Sequence, residues 1–206
     1  MTQKDESAPT IGRPREFDRD AALQAAMLVF WRKGYLATSM NDLCDAMGIR
    51  SPSLYAAFGS KEKIYVEAIG LYSSIVDSLI WAHVNDGPTA RESIHKVLLG
   101  AANVLPGFDG KPAGCMVNLA TLGDEIPGSI PQTVRQVRAE SLAVIRSGIE
   151  RGVAAGELPK STNIDRLSKF YLGVVQGMAV QAYDGATQDD LVSMADAAIA
   201  AWPVRR

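Results

Sequence analysis

Apolar residues recur every three or four positions along most of the chain, the period of a helix with one buried face, and no stretch alternates in the manner of a strand. The pattern predicts an all-α protein of about nine helices. Asp18 caps the first, whose inner face is Ala22, Leu23, Ala26, Met27 and Phe30 with Trp31 beside it. Gly34 closes that helix, with Arg32 and Lys33 in the last turn where cations suit the dipole. Thr38 or Ser39 caps the second, and Ser39 with Asp42 has the spacing of a capping box. Its inner set is Met40, Leu43, Cys44 and Met47, and Gly48 stops it. Ser51 is expected to cap a third, short helix with Pro52 at its first position, ending at Gly59 with Leu54 and Phe58 turned inward.

Ser60 opens a longer fourth helix, striped by Ile64, Ala68, Leu71, Tyr72, Ile75 and Leu79 and running to about Trp81. Further helices are expected over 89–105, 115–125, 130–155, 162–184 and 188–202. Pro106-Gly107, Pro112, Pro127-Gly128, Gly156 with Pro159, and Asp184-Gly185 separate them.

Composition narrows the classes. With 206 residues, 47% apolar and 21% charged, the chain can bury a core and is not a disordered segment. Its net charge of −2 excludes a uniformly basic nucleic-acid coat, so any such contact needs a local patch. Residues 1–63 carry nine Lys/Arg against eight Asp/Glu, a slight positive bias compared with the rest. Cys44 and Cys115 supply no disulfide framework, which reads as a reducing compartment. The polar opening stretch, Met1 to Gly12, has no signal-peptide pattern, and no apolar run reaches the length of a membrane span. The expectation is a cytoplasmic protein without membrane contact.

The second and third helices, joined through Gly48-Ile49-Arg50, have the length and punctuation of a helix-turn-helix. The outward positions of the third, Ser53, Tyr55 and Ala56, are preceded by Arg50 and Ser51. Hydroxyls, a guanidinium and a phenol can reach phosphates or base edges. Lys61, in the first turn of the fourth helix, opposes the dipole there but suits a phosphate beside free amides. As a plain surface lysine it would be offset by Glu62.

The stretch FDRDAALQAAMLVFWRKGYLATSMNDLCDAMGIRSPSLYAAFGSKEKIYVEAI, residues 17–69, resembles the DNA-binding domain of the TetR/AcrR family of transcriptional regulators. The resemblance rests on the GY-x-x-TS entry, D-L-x-x-A-M-G-I, S-L-Y-x-x-F and the following S-K-E. GMAVQAYDGAT (177–187) is similar to a penultimate helix of the family. It implies a basic arm at 1–16, a helix-turn-helix domain at 17–62 and a ligand-binding and dimerisation domain at 63–206. The implied function is a homodimeric repressor that leaves a palindromic duplex operator when a small-molecule effector binds. By the same resemblance Thr38 or Ser39 holds a phosphate, and Arg50, Ser51, Pro52, Ser53 and Ala56 face the major groove. Tyr55 and Lys61 grip phosphates, and Arg13 and Arg15 follow the minor groove. Pro52 and Ala56 depart from the commonest family pattern, which leaves Arg50 and Ser51 as first choices for specificity.

The dimer seam is expected on the last two helices, through Phe170, Tyr171, Val174, Val175, Met178, Ala198 and Trp202, with Gly173 and Gly177 allowing close approach. Effector candidates are Trp81, Leu98, Asn103, Phe108, Cys115, Met116, Asn118 and Leu122. Cys115, at an expected helix start where amide dipoles favour thiolate, suggests an alternative: a sensor of electrophiles or oxidants. A further alternative is a helical protein-interaction module without specific DNA binding. No catalytic fingerprint is present, and His83 and His95 do not make a metal site, so no enzyme activity and no cofactor are expected.

Overall fold

A computed structural model describes residues 17–120, 126 and 128–203. Among them are eight α-helices and one 3-10 helix, and no strand. The helices are α1 (Arg19–Ala37), α2 (Met40–Met47), α3 (Ser51–Phe58), α4 (Lys61–Leu79), α5 (Ala90–Val104), α6 (Ile130–Ala154), α7 (Ile164–Tyr183) and α8 (Gln188–Ala200). The 3-10 helix, Trp81–Asn85, continues α4 after Ile80.

Local chemistry sets most of the ends. The Asp18 carboxylate accepts from the Asp20 and Ala21 amides at the start of α1. Gly34, at φ 75° and ψ 170°, breaks the helical path of α1 where the sequence places its end. Ser39 and Asp42 form the full capping box of α2, and Gly48 closes α2 in the left-handed region at φ 66°. Thr187 and Asp190 make a second capping box at α8.

Three expectations need correction. Ser51 is the first residue of α3, not its cap; Arg50 holds the cap position in extended backbone, with no side-chain bond to the helix amides. The fourth helix ends as α-helix at Leu79. No helix begins at 115. Residues 116–120 form turns and bends, and 121–125 lie outside the described residues. The Asn118 N–H bonds the Cys115 sulfur, and one helix-like bond, Leu119 N–H to Cys115 O at 2.9 Å, is made there. Left-handed backbone at Asp109, Gly110 and Gly114 winds the preceding loop so that the Gly114 N–H returns to Leu105 O.

The small unit α1–α3 is held on α4 by aromatic edges: Phe30 against Tyr65 and Trp31 against Tyr72, each pair with centroids 4.8 Å apart and rings nearly perpendicular. Behind it α5 packs on α8 and α6 on α7, while α4 and the 3-10 helix run between the two halves. Lys61–Asn85 is long and apolar enough, by length and composition, to cross a membrane. Its buried positions Ile64, Ala68, Tyr72 and Val76 recur at helical spacing, as in a helix packed along one side.

Candidate nucleic-acid interface and cavity

α3 is seated by two buried side chains, Leu54 and Phe58. Its C-terminal end is strapped by Arg19, whose guanidinium lies 4.3 Å over the Phe58 ring and pairs with Glu67 at 2.7 Å. Everything else on the helix up to Ala56 faces outward: Ser51, Pro52, Ser53, Ala56 and the half-exposed Tyr55, with Arg50 exposed just ahead. Because Arg50 caps nothing, the first amides of α3 have no side-chain partner among the described residues, which is the arrangement that receives a phosphate.

Around this face the charges are ordered. Lys33 pairs with Asp42 at 2.6 Å, and Asp42 also accepts from the Ser39 amide and hydroxyl. The Lys33 bond first and the Ser39 bonds next hold the Asp42 carboxyl well below the usual range. Lys61 Nζ sits 4.4 Å over the Tyr35 ring, and partial burial lowers its pKa. Ser39 is exposed at the start of α2. Thr38 is not: it is buried, and its hydroxyl donates to the Gly34 carbonyl at 2.7 Å, so of the two candidates only Ser39 is open to a phosphate. Arg13 and Arg15 lie outside the described residues.

A cavity of about 390 Å³ opens between α4, the 3-10 helix, α6 and α7, floored by the 115–118 turn. Apolar walls come from Val76, Trp81, Val84, Val137, Val144 and Leu172. Of the expected effector residues, Trp81, Cys115 and Asn118 meet here. The others do not. Leu98 is fully buried core of α5, Asn103 is exposed and accepts from Gln188, and Phe108 lies under Lys111 on the loop. Met116 lines a separate cleft of about 260 Å³ with Trp31, Tyr35 and Tyr65, and Leu122 lies outside the described residues. These side chains were grouped by position along the chain, whereas the cavity draws one face each from helices far apart in sequence.

Two groups that the sequence left unremarked shape the cavity's polarity. Arg138 donates to the Val117 and Asn118 carbonyls at 2.7 and 3.3 Å, tying α6 to the turn that carries Cys115. Ser73 presents a buried hydroxyl without a partner among the described residues. Burial pushes the Cys115 thiol up, more strongly than the Tyr72 hydroxyl, the Asn118 and Val117 amides and the Arg138 charge pull it down. The thiolate expected from a helix-start dipole is therefore not favoured, because there is no helix start at Cys115.

On the opposite side, α7 and α8 divide the expected seam. Tyr171, Val175 and Met178 are buried within the chain, and Ala198 and Trp202 nearly so; these are core. Phe170 is 46% exposed, and with Val174, Gly173, Gly177, Met194 and Ala197 it lines an open apolar depression. The positions i, i+4 and i+7 from Tyr171 (Val175 and Met178) face in, whereas i+3, i+4 and i+7 from Phe170 (Gly173, Val174 and Gly177) face out.

The first 22–68 stretch of this architecture matches the profile described as "Bacterial regulatory proteins, tetR family". The chain is 33% identical to the HTH-type transcriptional repressor ComR of Escherichia coli K12, over 93% of this chain and 92% of ComR. It is 36% identical to the repressor BdcR of the same organism, over 57% of this chain and 58% of BdcR. Among solved structures, a cysteine variant of the TetR family regulator CifR, complexed with 26-base-pair double-strand operator DNA, superposes with a TM-score of 0.86 at 39% identity, covering 93% of this chain and all of that one. A helical interaction module without DNA binding does not fit these relatives. The chain belongs to the TetR family and is a DNA-binding transcriptional regulator, not an enzyme.

Proposed function

We propose that the protein is a cytoplasmic, homodimeric repressor that reads a palindromic operator through α3 and leaves it when a small molecule with an apolar body enters the α4/α6/α7 cavity. The single observation that carries this reading is that α4 serves both ends: its first turn follows the recognition helix, and its later turns, with Tyr72, Val76 and Trp81 just beyond, wall the cavity. Repressor naming of ComR and BdcR, and the operator DNA bound to CifR, support the output. Arg50, Ser51 and Ser53 are assigned to base edges, Pro52 and Ala56 to apolar groove contact, and Ser39, Tyr55 and Lys61 to phosphates. The reading divides the chain at 62/63, after an arm at 1–16.

The dimer is assigned to the outward side of α7 and α8. Gly173 and Gly177 support this, since a Cβ at either would touch nothing among the described residues. Their smallness has a use only if another surface comes close. Two reading heads must then stand about 34–36 Å apart to enter successive major grooves. α4 is a rod of about 28 Å at 1.5 Å per residue. A tilt of about five degrees over that length moves its far end by about 2–3 Å, enough to disturb the spacing. Thermodynamic reciprocity supplies the experiment: with a duplex recovered by selection from random DNA, operator must weaken effector binding by the factor by which effector weakens operator. Equal effector affinity with and without duplex ends the proposal.

A second reading is favoured by one contact. Cys115 lines the cavity beside Tyr72, so an electrophile entering there meets a thiol. Its protonated state at neutral pH works against rapid reaction. Induction by an electrophile that survives Cys115→Ser rejects this reading.

A further inference from the structure

One long-range contact joins the DNA-facing end of α4 to the helix that walls the cavity. Glu62, in the first turn of α4, sends Oε1 to Ser129, accepting from its N–H at 2.8 Å and from its hydroxyl at 2.8 Å. Ser129 is the cap residue of α6, and its own side chain bonds no amide of that helix. In a capping box the cap residue's N–H is satisfied by a side chain three positions into the same helix. Here the satisfying carboxylate comes from 67 residues away, on a different helix. Its negative charge also sits at the positive end of the α6 dipole.

Gly128 makes the approach possible. It takes φ +69°, and a Cβ there would overlap the Glu62 carboxylate. The Ser129 bonds hold the Glu62 carboxyl below its usual range, so the acceptor is ionised at neutral pH.

From Ser129 the helix runs directly to the cavity wall. Arg138 lies about 13 Å further along at 1.5 Å per residue, gripping the Val117 and Asn118 carbonyls, and Val137, Ser141 and Val144 flank it on the cavity side. Any occupant that shifts α6 therefore displaces Ser129, and Ser129 is held by the second residue of α4, which follows α3 after Gly59 and Ser60.

We infer that Glu62 is a positioning residue for the regulatory response: its bond to Ser129 carries cavity occupancy to the reading head by a second route beside the length of α4. The inference rests on the proposed effector reading. Without the bond, the head retains its fold and its DNA contacts, because Glu62 is neither on the outward face of α3 nor among the residues that seat it.

The test uses the full chain with Cys44→Ser, so that Cys115 is the only thiol and its alkylation by iodoacetamide at alkaline pH reports the cavity. Saturation with the selected duplex is expected to change that rate by about fivefold, the low end of ordinary coupling between sites. In Glu62→Ala the duplex effect shrinks to what α4 alone transmits while the duplex still binds; Glu62→Gln, which keeps an oxygen acceptor without the charge, restores part of the difference. A purely local bond would alter melting temperature and leave the duplex effect in place. An undiminished effect in Glu62→Ala overturns the inference alone. No duplex effect in the parent chain overturns the coupling reading beneath it, and with it this inference. Should Glu62→Ala lose duplex binding outright, Ser129→Ala removes one of the two bonds at a distance from the head, and the same comparison decides.

Discussion

Replacing Leu54 by Ala probes how the proposed DNA-reading face is held. Leu54 is fully buried and, with Phe58, is one of the two buried side chains that seat an eight-residue helix. Burying a leucine side chain contributes about 1.5–3 kcal/mol by transfer alone. The cavity left by truncation raises the cost to about 2–5 kcal/mol. Domains of this kind carry roughly 0.05–0.15 kcal/mol of stability per residue, which gives about 2–7 kcal/mol for the stretch matched by the family profile. The truncation therefore removes a large part of what holds the head, while the helices behind α4 lose little. The expected outcome is a protein whose far-UV helical signal falls only slightly and whose affinity for the selected duplex drops at least about tenfold, the equivalent of 1.4 kcal/mol. Fluorescence anisotropy of labelled duplex and a parallel thermal melt measure both. Unchanged duplex affinity in a variant destabilised by 2 kcal/mol or more, on the scale of this substitution, would refute the idea that α3 acts as a rigidly seated element.

Other outcomes follow from the same geometry. Ser39→Ala removes half of the α2 capping box and should cost about 0.5–2 kcal/mol in thermal or denaturant unfolding; no loss would mean that the box is not formed in solution. Asp42, with its pKa depressed in the folded state, contributes stability that is present above the ordinary carboxylate range and fades as pH falls through its folded value, so Asp42→Asn should flatten the acid limb of the stability profile. Phe170→Asp places a charge on the exposed side of α7 and should shift sedimentation towards monomer without unfolding the chain, whereas an unchanged dimer would move the seam elsewhere. Cys115 alkylation should stay slow at neutral pH and accelerate only above the ordinary thiol range; fast reaction at pH 7 would contradict the burial of its sulfur.

Helix ends were readable because their chemistry is local. Asp18, the Ser39–Asp42 pair and Gly48 each act within three residues of the break they make. The outward residues of α3 were readable for a related reason, since two inward side chains at i and i+4 fix which positions remain. The two sides of α7 were not. Phe170 and Tyr171, and Val174 and Val175, are apolar neighbours, and only the packing of α5, α6 and α8 decides which member faces in. The cavity was partly legible through Trp81, Cys115 and Asn118, but Arg138 and Ser73 gained their meaning from carbonyls and space supplied by distant segments. Nor did Glu62 signal anything beyond charge balance with Lys61; its partner lies on another helix.

The central claim is that a pair of α3 faces led by Arg50 reads successive grooves of one duplex. Its most direct measurement is the affinity of the protein for the selected palindrome, titrated with salt, in parallel for the unaltered chain and Arg50→Ala. The account predicts a steep fall with salt, two protomers per site, and a loss of about 1–3 kcal/mol in the variant together with relaxed preference at the base it contacts. Salt-insensitive binding, or an Arg50→Ala variant that binds and discriminates like its parent, would contradict it.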